Sequence, residues 1–247
     1  MAFVSAQTSR LTVGDREWSA DLTGVDSSTD IETIETTTLG DTSKVYLVGE
    51  KSGTLNLTGL LNAASAGTAN SQWQDLKAIR GDSDGVPALV ALGGFTAGND
   101  CWVAQVTETS WSNSSTVAGA AGWTLNMGTT GDMGHGDALY DPADATVGAG
   151  IVAGTAVDNS SSTANGGVTN LCVVAASGTS PTLDVIVKHS ADNITYTTLA
   201  TFTQATGLTS ERVAVAAGTT VNRYLKATAT IGGTAPSFKF AVGFARL

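Results

Sequence analysis

Thirty-seven of the 247 residues are threonine. Threonine is stiff at χ1, which costs helix stability, and it fits a pleated strand with one wet face. With one residue in seven of this type, and 29 glycines to turn the chain, the sequence is confined to short strands and turns. Charged residues make up only 14%, against about 25% in an ordinary soluble protein. Few solvated charges and many small residues suit extensive contact surfaces.

The same composition removes several classes. Twenty-two acidic against 12 basic residues give a net charge of −10, the opposite of a footprint that clamps phosphates. No apolar run approaches the roughly 18–20 residues that cross a bilayer, so no membrane insertion is expected. Residues 1–7 carry neither a basic n-region nor an apolar h-region, and no secretory leader is expected. Two cysteines and two histidines are too few for a disulfide framework or a structural zinc site. No cofactor or metal is expected.

Charge divides the chain. Residues 1–140 hold 16 acidic and 6 basic side chains, a net −10; residues 141–247 hold 6 of each. Between them, residues 141–155 are small and rich in Gly and Ala, which reads as a linker. The expected organisation is a β domain at 1–140, a linker at 141–155 and a second β domain at 156–247.

In the first half, 10–13 and 17–22 alternate polar and apolar around a turn at Gly14-Asp15. The run 31–38 is dense in β-branched residues, but Ile31 and Ile34 are three apart, which breaks the period of two and predicts a bulge or twist. Leu55 and Leu57, with Gly59 next in line, share one face of a strand; further strands are expected at 86–92, 101–106 and 123–127. One helix interrupts the series. Ser71 serves as N-cap with Gln74 three residues on, Trp73, Leu76 and Ile79 fall on one face, and Gly81 stops it.

The second half reads as six strands, at 168–174, 183–188, 196–202, 211–215, 224–231 and 237–244, with Phe238, Phe240, Val242 and Phe244 on one face. Residues 190–193 and Gly232-Gly233 are expected to supply hairpin turns. The pattern fits a sandwich of immunoglobulin or jelly-roll type. The fold class is therefore mainly β, an antiparallel two-sheet domain with one flanking helix followed by an all-β sandwich.

Candidate chemistry is sparse. His135 lies in a Gly-rich turn and His189 ends a strand, and no Gly-x-Ser-x-Gly elbow prepares a serine. Asp82-Ser83-Asp84-Gly85 opens like a calcium loop but lacks the later ligands and the closing Glu. Arg80-Gly81-Asp82 spells an integrin-binding tripeptide, which a helix end explains equally. Cys101 and Cys172 read as small buried hydrophobes. No acid–base or nucleophile–base pair stands out, so an enzyme is not expected.

Residues 36–60 stand above composition. A strand ends in Thr36-Thr37-Thr38, a turn follows at Leu39-Gly40-Asp41-Thr42, and Lys44, Tyr46, Gly49 and Lys51 lead into Leu55-Asn56-Leu57-Thr58-Gly59. This succession resembles the tail tube (major tail) proteins of long-tailed bacteriophages, over roughly residues 1–130; Val48 stands where a proline often precedes the glycine. Parts of the second half (158–167, 188–192, 220–226 and 244–246) are similar to β-sandwich modules of phage structural proteins. The resemblance implies subunits that close into hexameric rings and stack into a tube through which double-stranded DNA passes, with the second domain on the outer surface. Thr38, Leu39, Gly40, Asp41, Thr42, Lys44, Tyr46, Gly49 and Lys51 would then contact neighbouring subunits or rings. The implied partners are further copies of the chain, tape-measure, tail-terminator and baseplate or tip proteins, and the implied location is the virion tail, assembled in the bacterial cytoplasm. A head decoration protein and a host-glycan-binding sandwich, with Tyr196 and Tyr224 as its aromatic candidates, are the alternatives.

Overall fold

The computed structural model describes residues 6–61, 76–77, 79–117, 119–131, 133–143 and 146–247. Fifteen strands run through them: β1 (Arg10–Val13), β2 (Arg16–Glu17), β3 (Leu22–Glu35), β4 (Tyr46–Leu60), β5 (Val86–Ala91), β6 (Asp100–Ser114), β7 (Gly122–Thr129), β8 (Gly134–Tyr140), β9 (Thr146–Val147), β10 (Gly150–Ala153), β11 (Val157–Asp158), β12 (Gly167–Ser190), β13 (Thr197–Thr201), β14 (Thr209–Val215) and β15 (Tyr224–Arg246). Every ladder between them is antiparallel, as the threonine-rich, hairpin-forming sequence predicts.

The first half is two layers. Leu55 and Leu57 of β4 and Trp123, Leu125 and Met127 of β7 face Leu11 and Val13 of β1, Ala88 and Val90 of β5 and Ala104 and Val106 of β6 across one core. Trp18 meets Trp123 edge to face, with ring centroids 5.8 Å apart and planes at 84°, a geometry aromatic pairs favour. Strand β6 serves both layers. It pairs with β5 and β8 through residues 100–106 and with β7 through residues 106–114. The helix expected from Ser71 lies mostly outside the described residues, Trp73 included. Leu76, Lys77 and Ile79 have helical backbone, with Leu76 buried in this core and Ile79 packed against it.

The second half is built on two long strands. The six strands expected there merge: 168–174 and 183–188 are both parts of β12, and 224–231 and 237–244 are both parts of β15. Gly232-Gly233 is not a hairpin turn. It lies inside β15, opposite Thr182 of β12. The pair bends at this point instead of reversing, with register shifts between Val173 and Ala175, Ser177 and Thr179, and Thr179 and Thr182. Strands that change sheets at such bulged corners let one ladder form two walls of a sandwich. The buried face carries Leu171 and Val173 with Phe238, Phe240 and Phe244 on one wall, and Leu183, Val185 and Val187 with Leu225, Ala227 and Ile231 on the other.

Hydrogen bonds cross from one half to the other. Val242, Gly243 and Phe244 of β15 pair with Tyr140, Ala138 and Asp137 of β8, while the same stretch pairs with β12 on its other edge. Within 141–155, the stretch expected to link the halves, β9 and β10 are hydrogen-bonded to β15. The sheet curls so that Ala241 and Ala245 of β15 and Val168 and Cys172 of β12 share a core with Leu89, Phe95, Cys101 and Val103. Small residues are required there. A Cβ on Gly243 would lie 2.6 Å from Leu89 Cδ2 and 3.3 Å from Cys101 Sγ.

Both cysteines sit in this junction, and burial raises both thiols, Cys172 to about 12. A thiol must ionise and be reached to react. We expect neither to be modified by a thiol-specific disulfide reagent in the native protein at about pH 8, and both to react once guanidinium opens the fold. Labelling of either in the native state contradicts this junction.

Candidate assembly interface

Strands β3 and β4 pair from Leu22↔Gly59 to Glu35↔Tyr46. Among the described residues, only the base of this hairpin pairs with a third strand. Strand β4 pairs with β7 from Thr54 to Leu60 and no further, and residues 29–52 are exposed on both strands except Gly49. The rest is a two-stranded ribbon standing in solvent. The bulge expected from the Ile31–Ile34 spacing is present, as a register shift between Ile31 and Thr33 opposite Lys51 and Val48. Gly49 and Glu50 of β4 together face Glu32 of β3, one residue more than regular pairing allows, so Gly49 sits in a bulge with pairing resumed on both sides of it.

The ribbon carries an unusual load of uncovered apolar side chains: Ile31, Ile34, Leu39, Val45, Tyr46, Leu47 and Val48 are all exposed, Val48 at 70% and Leu39 completely. An isolated two-stranded hairpin is marginal in water, and contiguous exposed apolar surface marks contact surface.

The tip is nonetheless held. The Thr36 amide donates to the Val45 carbonyl at 2.8 Å, and the Val45 amide to Thr37 Oγ1 at 3.0 Å. Asp41 Oδ2 accepts from the Thr38 amide at 2.7 Å and from the Thr38 hydroxyl at 3.0 Å. These bonds to the charged form hold the Asp41 carboxyl below its usual range. The Asp41 amide returns a bond to the Thr38 carbonyl at 3.0 Å, closing the turn expected at Gly40-Asp41. Lys44 Nζ lies 3.0 Å from Glu35 Oε2 and 5.9 Å from the Tyr46 ring centroid. Thr38, Leu39, Gly40, Asp41, Thr42 and Lys44 thus gather at the tip, and Tyr46, Gly49 and Lys51 run down one strand of the same ribbon.

Alternation gives the adjoining sheet a second, polar face. Val25, Leu55 and Leu57 point to the core, so Asp26, Ser28, Asp30 and Glu32 fall on the opposite side, beside Asn56, Thr54 and Ser52. Asn126 and Thr124 of β7, then Ser110 and Ser112 of β6, continue that face. Its hydroxyls and amides bond to one another, Ser28 to Thr54 at 2.8 Å and Asn126 to Ser110 at 2.8 Å. Across β3, β4, β7 and residues 107–114 there are six carboxylates and one base, Lys51. Lys51 pairs with Ile31, on the core-facing side.

This four-stranded sheet also has two unpaired edges among the described residues. Strand β3 pairs only with β4, and residues 107–114 of β6 pair only with β7. Free edges are templates for pairing with another chain.

The two histidines have settled surroundings. His135 is tilted against Trp102 with ring centroids 4.7 Å apart, and its Nε2 lies 3.7 Å from Asp100. His189 Nδ1 accepts the Asn222 amide at 3.2 Å. Its burial, then the Arg246 charge, lowers its pKa. Among the described residues neither bonds to a hydroxyl or thiol.

No family model and no curated protein sequence matches the chain. Among solved structures, the chain is similar to phage tail and tail-related proteins. The tail of an empty gene transfer agent particle with C6 symmetry is 17% identical, over 46% of this chain and 80% of that one, with a TM-score of 0.36. The SPP1 tail tube is 10% identical over 53% and 78%, at 0.41. The SPP1 Dit protein, from a hub adsorption apparatus of phages infecting Gram-positive bacteria, is 12% identical over 94% and 98%, at 0.33. These are partial likenesses of fold.

Proposed function

We propose that this chain is a structural subunit of a phage-type tail that polymerises into a tube. The observation that carries the reading is the ribbon of residues 29–52, with seven exposed apolar residues and, among the described residues, no third strand paired to it. Covered by neighbouring copies, the same ribbon becomes an assembly arm. The free edges of β3 and β6 join head to tail, a heterologous contact that closes into a ring when the rotation per subunit permits; the resemblance of residues 36–60 to tail tube proteins supports six subunits per ring. The polar, acidic face of the four-stranded sheet then lines the lumen. Asp26, Asp30, Glu32 and Glu50 keep double-stranded DNA from adhering as it passes, because like charge repels phosphate. The second half lies on the outer surface, and tape-measure, terminator and baseplate proteins meet the tube at its core and ends. The role is assembly and conduit, not catalysis.

Electron microscopy of the concentrated full-length protein tests this. Rings or stacked tubes with an open lumen are the expected result; single copies at every attainable concentration overturn it. The paired substitution Leu47→Asp with Val48→Lys is expected to abolish rings and tubes. It should leave the circular dichroism spectrum and melting temperature of the monomer within about 2 °C of the parent, because surface positions without core contacts shift stability little. Tubes that persist in this variant exclude the ribbon as the contact.

A further inference from the structure

The outer face of the second half carries a charge arrangement that assembly through the ribbon leaves unused. Lys188 of β12 and Lys226 of β15 are direct partners in the ladder. Their neighbours Val187, Leu225 and Ala227 are buried, so both lysines alternate to the solvent side. Like charges directly opposed across a strand pair destabilise it. Among the described residues neither lysine forms a salt bridge with a carboxylate.

The described carboxylates of 141–247 each have partners other than these two lysines, two of them, Asp158 and Asp192, close to the patch. Asp141 is bound by Arg10 at 2.9 Å, and Asp158 by two nitrogens of Arg223 at 2.6 Å each. Asp184 is held by the Gln204 amide at 2.9 and 3.0 Å. Asp192 accepts the Ile194 and Thr195 amides of its own turn, and Glu211 the Thr203 amide at 2.7 Å.

Two tyrosines frame the lysine pair. Lys226 Nζ stands 3.6 Å from the Tyr196 ring centroid, and the Arg223 guanidinium 4.9 Å from that of Tyr224. Both rings already hold a cation, so they do not offer the bare face on which a neutral sugar stacks. What they present is an ammonium fixed on an aromatic seat, with a second one across the ladder. Thr198, exposed and paired with Lys188, places a hydroxyl on the same face.

We propose that the Lys188–Lys226–Tyr196 patch binds an anionic carbohydrate polymer, one that carries phosphate or carboxylate groups along a sugar or polyol backbone. The paired ammoniums take adjacent anionic groups, and the Thr198 hydroxyl takes a backbone hydroxyl between them. A DNA duplex, with one charge per about 1.7 Å of axis, is disfavoured by the net charge of −10, whereas a single-chain polymer with more widely spaced charges can engage the patch alone.

Binding of the full-length protein to immobilised poly(glycerol phosphate) and to hyaluronate tests the proposal, with uncharged dextran and a DNA duplex alongside. Salt-sensitive binding to either anionic polymer is expected, and the one preferred identifies the anionic group. Each of Lys188→Gln and Lys226→Gln should weaken it about tenfold, the scale of one charge-assisted hydrogen bond, and the double variant should abolish it. Lys239→Gln, an exposed cation elsewhere on β15, should leave it unchanged. Binding to neither anionic polymer, equal capture of dextran or DNA, or an undiminished double variant overturns the proposal.

Discussion

Replacing Asn170 by leucine is expected to lower the melting temperature by roughly 6–12 °C, the equivalent of about 3 kcal/mol in a chain of this size. Asn170 is fully buried in β12. Its Nδ2 donates to the Ala88 carbonyl of β5 at 3.0 Å and to the Ala104 carbonyl of β6 at 2.7 Å. Its Oδ1 accepts from Arg212 Nη1 at 3.3 Å. One amide thereby fastens the second half to two strands of the first, with both donors and an acceptor site used. Leucine keeps the volume but removes the donors, and a buried carbonyl deprived of its partner costs about 1–3 kcal/mol. Asn170→Asp should be worse, since a carboxylate would face two carbonyl oxygens in a site where charge cannot be solvated. The measurement is thermal unfolding followed by circular dichroism and by tryptophan fluorescence. All five tryptophans lie before residue 124, so fluorescence reports the first half. Because the staple joins the halves, both probes should move together. A leucine variant that melts within 2 °C of the parent would remove Asn170 from the account of what holds the halves to each other.

What could be read in the sequence, and what could not, follows from which signals are local. The strand pattern was legible at Leu55 and Leu57, where the other face is wet, and the stripe of Phe238, Phe240, Val242 and Phe244 was legible from its own alternation. The bulge near Ile31 was legible from a broken period, and the turn at Gly40-Asp41 from its residues, but the paired ribbon that carries that turn was not. The joining of the halves was not. The last third of β15 is buried on both faces, with phenylalanines on one and Ala241, Gly243 and Ala245 on the other. Small residues opposite a phenylalanine stripe look like a solvent face in a single sequence, although here they mark close approach of another strand. Asn170 shows the same blindness, since a polar residue in a strand gives no sign of two carbonyls 66 and 82 residues away. Exposed apolar residues on the ribbon invert the usual pattern, and only the structure separates them from core. The Gly232-Gly233 error has a different origin. Paired glycines do favour hairpins, and the reading missed that the neighbourhood of Gly233 is repeated earlier in the chain.

That repeat sets the last prediction. Gly178-Thr179-Ser180-Pro181-Thr182 in β12 and Gly233-Thr234-Ala235-Pro236-Ser237 in β15 share one pattern, and Thr179 pairs with Thr234 at the corner. The backbone repeats as well: φ is 114° at Gly178 and 111° at Gly233, then 48° at Ser180 and 47° at Ala235. Each glycine lies against the other strand's turn. A Cβ on Gly233 would sit 2.7 Å from the Ser180 carbonyl oxygen, and one on Gly178 2.7 Å from that of Ala235. Gly233→Ala therefore meets both a conformation L-residues rarely adopt and a backbone collision, and should cost about 3 kcal/mol, a drop of roughly 6–12 °C. Gly178→Ala should cost the same. The double variant should cost clearly less than the sum, because once one strand has shifted the other glycine has lost the contact it was needed for. Ala235→Gly should do the reverse, since it relieves a left-handed residue and gives back only part of that gain in unfolded-state entropy; a rise of less than about 1 kcal/mol is expected. Thermal melts of these four variants decide it. Strict additivity of the two alanine substitutions, or no loss from either, would mean that the corner is not a mutually locked pair. The two walls of the second half would then owe their arrangement to the core alone.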